Sequence, residues 1–177
     1  MSSSDRRSFL GLLALPALAL AGCGFSPVYG TGGAGAELLE QVRVADPSDR
    51  NGFFLVERIE ERLGRTRTPL YRMTYEIETE SNGLAYTTDN SITRYNIDGR
   101  VRYTLTDETG RVVLTSGTVR NFVSYSASGT TISTLSAEED AYERLMRLLA
   151  DQIVIELIAS SATWKRAVPA ATAAAAP

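Results

Sequence analysis

A two-layer α+β sandwich is the fold the sequence predicts: two helices packed on one face of a four-stranded mixed or antiparallel sheet. Three observations lead there. Two segments carry apolar residues at helical spacing, three segments alternate apolar and polar residues, and the elements run strand, helix, three strands, helix.

The first strand is read over Leu38–Ala45, around Val42 and Val44, and Asp46-Pro47-Ser48 ends it. A helix follows over about Asp49–Leu63. Leu55, Val56, Ile59 and Leu63 share one face, Glu57, Arg58, Glu60, Glu61 and Arg62 cover the rest, and Gly64 is the stop signal. Leu70–Glu80 alternates. Tyr71, Met73, Tyr75 and Ile77 lie on one side and Arg72, Thr74, Glu76 and Glu78 on the other, with Ser81-Asn82-Gly83 as the turn.

The next strand places Tyr95, Ile97, Val101, Tyr103 and Leu105 on one parity and Arg94, Asn96, Asp98, Arg100, Arg102 and Thr104 on the other. Asp98-Gly99 has the composition of a hairpin turn. A turn there would mix arginines into the apolar side, so one long strand with a glycine kink is the better reading. Asp107–Gly110 turns the chain into a last strand over Arg111–Tyr125. Val112 and Leu114 are even and Val119, Val123 and Tyr125 odd, so a bulge is expected near Ser116-Gly117. Ser126–Leu135 reads as a loop. Ser136 and Glu139 form a capping box for the second helix, whose apolar stripe is Tyr142, Leu145, Met146, Leu149, Ile153 and Leu157. Beyond Ser160 the Ala-rich tail shows no stripe and is read as disordered.

The N-terminus has another logic. Arg6 and Arg7 precede an apolar run from Phe9 to Leu20, then Leu20-Ala21-Gly22-Cys23, in the order of a secretory signal. The run is about a dozen residues, and a spanning helix needs roughly 20. Leu-Ala-Gly-Cys looks like a bacterial lipobox, which implies cleavage before Cys23 and acylation of its thiol. Cys23 is the only cysteine, so an internal disulfide is excluded. Asp5–Leu10 also resembles a twin-arginine signal, and both export routes remain open. The expected organisation is a signal peptide over 1–22, an acylated Cys23 with a Gly/Ala tether over 23–36, a folded domain over 37–160 and a tail over 161–177.

Composition narrows the function. The 177 residues carry a net charge of −3 and no histidine. A negative balance disfavours a general nucleic-acid binder. Lack of histidine removes the usual general base and the commonest metal ligand. Lys165, the single lysine, lies near the C-terminus, and no phosphate loop or metal-ligand spacing is present. The expectation is a binding protein without cofactor or metal, not an enzyme. Arg94, Arg100 and Arg102 project from one strand face, nearest neighbours about 7 Å apart. Such a row can grip an anionic group. Asp98 and the glutamates of the preceding strand could equally balance it.

Cys23-Gly24-Phe25-Ser26-Pro27-Val28-Tyr29-Gly30 resembles the start of the LPS-assembly lipoprotein family LptE in its alphaproteobacterial form. Tyr103–Asp107 with Thr109-Gly110, Arg120–Tyr125, Asp140-Ala141 and Leu149–Ile153 resemble it in the same order. The resemblance implies a two-helix, four-stranded lipoprotein at the periplasmic face of the outer membrane. It implies a complex with the β-barrel LptD, in which the lipoprotein is the plug, and delivery of lipopolysaccharide to the outer leaflet. The family binds that lipid through basic residues that do not map individually here; the pattern puts Arg94, Arg100, Arg102 and Arg120 in that role. The other reading is an accessory lipoprotein of a different envelope assembly, serving barrel insertion or binding peptidoglycan.

Overall fold

The computed structural model describes residues 33 and 35–174, with side chains as far as Trp164 and without that of residue 37. The signal peptide, Cys23 and most of the tether lie outside the described residues. The elements are a 3-10 turn (Ala36–Leu38), β1 (Val42–Val44), α1 (Arg50–Leu63), β2 (Tyr71–Tyr86), β3 (Ile92–Asp107), β4 (Val113–Ser126) and α2 (Thr131–Ala174). They form one four-stranded sheet in the order β1-β2-β3-β4, with β1 parallel to β2 and the other pairs antiparallel. Both helices cover one face, so the fold is the mixed two-layer α+β sandwich expected.

Local chemistry explains the ends of α1. The Asp49 side chain accepts from the Gly52 amide at 2.6 Å, an N-cap. Gly64, at φ 79°, returns its own N–H to the Glu60 carbonyl. The apolar stripe then buries Leu55, Val56, Ile59 and Leu63 against Val42, Val44 and Met73 of the sheet and against α2. Arginine tips tie the two helices over this core. Arg58 donates to both carboxylate oxygens of Asp151, at 3.0 and 3.1 Å, and Arg62 to one of them at 2.9 Å. The sequence pattern places Arg58 and Arg62 on the polar back of α1 and names no partner for them. Their pairing is set by the interhelical approach.

Asp98-Gly99 is strand, not turn. Gly99 pairs with Thr79 on one side and Asn121 on the other. A Cβ at Gly99 would lie 2.9 Å from Leu145 and 3.0 Å from Leu149, so the missing side chain lets α2 descend onto the sheet. Gly117 has the same role beneath the Tyr103 ring, where a Cβ would fall 2.6 Å from the hydroxyl. Tyr103 is buried and donates to Glu156 of α2 at 3.0 Å; burial, then this bond, push its pKa up. Ring and helix are held together, so the ring cannot yield freely. Gly117→Ala is therefore expected to destabilise by about 1–3 kcal/mol through overpacking. Gly99→Ala should cost less, because leucine tips rotate. Urea unfolding of the two variants checks the order, and equal midpoints would count against it.

Several boundaries differ from expectation. Ser81-Asn82-Gly83 is not a turn: these residues pair with Ile97, Asn96 and Tyr95, and β2 runs on to Tyr86. The apolar face of β3 continues back to Tyr95 and holds its partner, and irregular pairing around Leu84 absorbs the glycine. The turn is Thr87–Ser91, closed by the Thr87 amide on the Ser91 carbonyl, with Asn90 at φ 64°. The bulge in β4 falls at Leu114, between the pairs Leu105–Thr115 and Thr106–Val113. Ser116-Gly117 is regular, because Gly117 keeps the odd parity under Tyr103. Helix α2 begins at Thr131, five residues before the expected box. Thr130 accepts the Ser133 amide on its side chain and the Thr134 amide on its carbonyl. Ser136 and Glu139 therefore lie inside the helix.

The domain also exceeds its expected ends. Gly35 and Ala36, placed in the tether, belong to the 3-10 turn that carries buried Leu38. Helix α2 does not stop at Ser160. It continues through the segment read as disordered, with Ser161 buried and Trp164 only 3% exposed. The Trp164 ring meets Tyr71 edge-on at 5.1 Å.

Candidate functional site

The face of the sheet away from the helices carries the polar parity of β2, β3 and β4. Register fixes its rows: Glu76–Arg102–Thr118, Glu78–Arg100–Arg120, Glu80–Asp98–Phe122 and Asn82–Asn96–Ser124. Even-numbered residues reach this face because the odd ones fill the core.

The four predicted arginines divide into two kinds. Arg102 bonds Glu78 at 2.6 Å and Glu76 at 3.1 Å, and Arg100 pairs with Glu78 at 3.4 Å. The hydrogen bond from Arg102, then the charges of Arg102 and Arg100, hold the Glu78 carboxyl below its usual range. Its pairing stays intact through the ordinary carboxylate range and is lost only as pH falls through the depressed folded value. Charge balance, the second reading of the row, thus describes Arg100 and Arg102. Arg94 and Arg120 form no ion pair among the described residues. Arg94 stands near the hairpin end, beside Leu84, Ser126 and Ser128. Arg120 borders a hollow of ≈ 690 Å³ together with Glu78, Glu80, Asp98, Arg100 and Phe122.

Phe122 was not singled out from the sequence. It lies on this face, 64% exposed, one row from Arg120. Its signal was present, because the bulge resets the parity of the strand and places position 122 outside. The described residues contain no group of three or more Cys, Asp or Glu placed to hold a metal. None of their helices is long and apolar enough to cross a membrane.

A two-layer sandwich with an open, charge-laddered sheet face defines a class of small α+β domains that present a surface rather than enclose a pocket. The family model described as LptE, lipopolysaccharide-assembly, matches residues 39–157, more than half of the chain, and the chain belongs to that family. Solved structures share the fold. A Caulobacter crescentus protein described as a lipoprotein is 16% identical, with TM-score 0.62 over 75% of this chain and 98% of its own. Rare lipoprotein B from Shewanella oneidensis is 12% identical, with TM-score 0.52 over 68% and 93%. A minor lipoprotein from Acinetobacter baumannii is 15% identical, with TM-score 0.52 over 68% and 90%. No curated protein sequence matches the chain.

Proposed function

We propose that this protein is an outer-membrane lipoprotein, anchored through acylated Cys23, that acts as plug and assembly partner of an LptD-like β-barrel in delivering lipopolysaccharide to the outer leaflet. Family membership over residues 39–157 is the observation that carries this reading. It is a binding and assembly role without catalysis, cofactor or nucleic acid. Co-purification from membranes tests it. A large β-barrel in near-equal amount is the expected result. An isolated domain that instead retains peptidoglycan fragments would replace this reading with that of an accessory to another envelope assembly.

Within this function, Arg94 and Arg120 are the positions proposed for the phosphates of the lipid, since Arg100 and Arg102 already serve glutamates. An Arg–phosphate contact, when partly desolvated, contributes about 1.5–3 kcal/mol. Arg94→Glu or Arg120→Glu is therefore expected to weaken lipopolysaccharide binding about tenfold or more. Arg102→Ala, at an exposed pair worth about 0–1 kcal/mol, should change it little. Binding at two salt concentrations, with circular dichroism for the fold, checks both. Unchanged affinity for the Arg94 and Arg120 variants at low salt would remove the lipid from this face. Loss of the barrel complex with lipid binding intact would give the face to the partner.

A further inference from the structure

Two adjacent rows of the open sheet face set like charges directly opposite one another. Arg100 is paired in register with Arg120 across β3 and β4, and Glu80 with Asp98 across β2 and β3. Like charges in directly opposed positions are unfavourable unless something neutralises them. Neutralisation is incomplete here. Glu78 pairs with Arg100 at 3.4 Å, whereas Arg120, Glu80 and Asp98 form no ion pair among the described residues. Asp98 accepts instead from the Asn96 side-chain amide at 2.9 Å, and the Asn96 carbonyl accepts the Ser124 hydroxyl at 3.1 Å. This chain of hydrogen bonds fixes the direction of the Asp98 carboxylate. Glu80, Asp98, Arg100 and Arg120 all line the hollow of ≈ 690 Å³, and Phe122 completes the acidic row.

We propose that the group received here is zwitterionic: a phosphate on Arg120, joined by a short carbon spacer to a primary ammonium between Glu80 and Asp98, as in a phosphoethanolamine substituent of lipopolysaccharide. The inference rests on the assignment of Arg120 to a lipid phosphate. Charge balance selects this occupant over a bare phosphate. The hollow is lined by three carboxylates and two guanidiniums, and one pair, Glu78 with Arg100, is already made. One guanidinium and two carboxylates remain, so a phosphate alone sits beside an excess of negative charge. An attached ammonium cancels that excess. Asp98 stands one strand across and one row along from Arg120, and the row spacing is about 7 Å. An aminoethyl phosphate and the arginine side chain together cover that gap. A primary ammonium has three donors, so both carboxylates are met by charge-assisted bonds. Phe122, 64% exposed in the same row, adds a cation–π contact. A quaternary ammonium has no donors and forfeits the carboxylate bonds.

Two lipopolysaccharides that differ only in phosphoethanolamine on their lipid phosphates are the probes, titrated against full-length mature protein in detergent. The unsubstituted protein is expected to bind the decorated lipid about tenfold more tightly than the plain one. The double variant Glu80→Gln, Asp98→Asn should lose that preference and bind the plain lipid more tightly, because the excess negative charge is gone. Arg120→Glu should weaken both. Absence of a preference in the unsubstituted protein, with both lipids still weakened by Arg120→Glu, would overturn the ammonium site and leave the phosphate assignment standing. No effect of Arg120→Glu on either lipid would remove the phosphate assignment and this inference with it. A preference that survives in the double variant, with or without loss of the barrel complex, would take the ammonium away from these two acids and end the proposal. Glu80→Gln relieves a like-charge pair, so its urea midpoint should rise. A lower midpoint would give the Glu80 carboxylate a structural partner and count against the site.

Discussion

Cys23→Ala is expected to abolish acylation and to remove the domain from the outer-membrane fraction. The argument is additive. Each buried acyl CH₂ contributes about 0.8 kcal/mol, a single chain holds a protein only reversibly, and a second chain makes anchoring stable. A lipobox cysteine carries more than one chain, so on the acylation proposed above its loss removes the whole anchor. No described helix can replace it by spanning the bilayer. The folded core begins at Leu38, so the domain should remain folded without the modification. Labelling with a radioactive fatty acid, followed by membrane fractionation, measures both effects. Incorporation at the normal level in the variant would refute the assignment of Cys23.

Trp164→Ala should be among the most damaging single substitutions in the domain, at about 3–5 kcal/mol. The indole is buried in the C-terminal half of α2 and meets Tyr71 of β2 edge-on. Its removal leaves a cavity between helix and strand that their backbones cannot readily close. For a domain of this size the loss corresponds to a fall in melting temperature of roughly 10 °C. Ile155→Ala on the same helix is the control. Ile155 is 59% exposed, so its change should stay within about 0.5 kcal/mol. Thermal unfolding followed by circular dichroism compares them. A Trp164→Ala variant as stable as the Ile155→Ala control would place the indole outside the core.

The open face of the sheet shows how far pattern reading reaches. Parity alone assigned Arg94, Arg100 and Arg102 to one side, because side chains on a strand alternate without exception unless a bulge intervenes. Parity could not say which of them retain an unspent charge. That depends on the register between β2 and β3, which brings Glu76 and Glu78 to Arg102 and Arg100 and leaves Arg94 and Arg120 beyond their reach. Arg120 and Phe122 became neighbours on this face only once the bulge was located at Leu114.

The sequence by itself determined the elements whose chemistry is local and periodic. Alternation set the long β3 through Asp98-Gly99, and helical spacing set α1 and the buried stripe of α2. A lipobox motif, a property of a few adjacent residues, pointed to Cys23. Tertiary structure decided what depends on distant partners. Ser81-Asn82-Gly83 has turn chemistry, but the apolar length of β3 held it in the ladder, since a one-residue change of register would move a whole core face into water. Trp164 continues the stripe at the spacing Leu157, Ser161, Trp164, yet only burial against Tyr71 shows that helix and domain extend past Ser160. Arg58 and Arg62 read as solvent-facing until α2 brought Asp151 between them. In each case the deciding free energy comes from burial or charge pairing between residues far apart in the chain, and no short window of sequence contains both members.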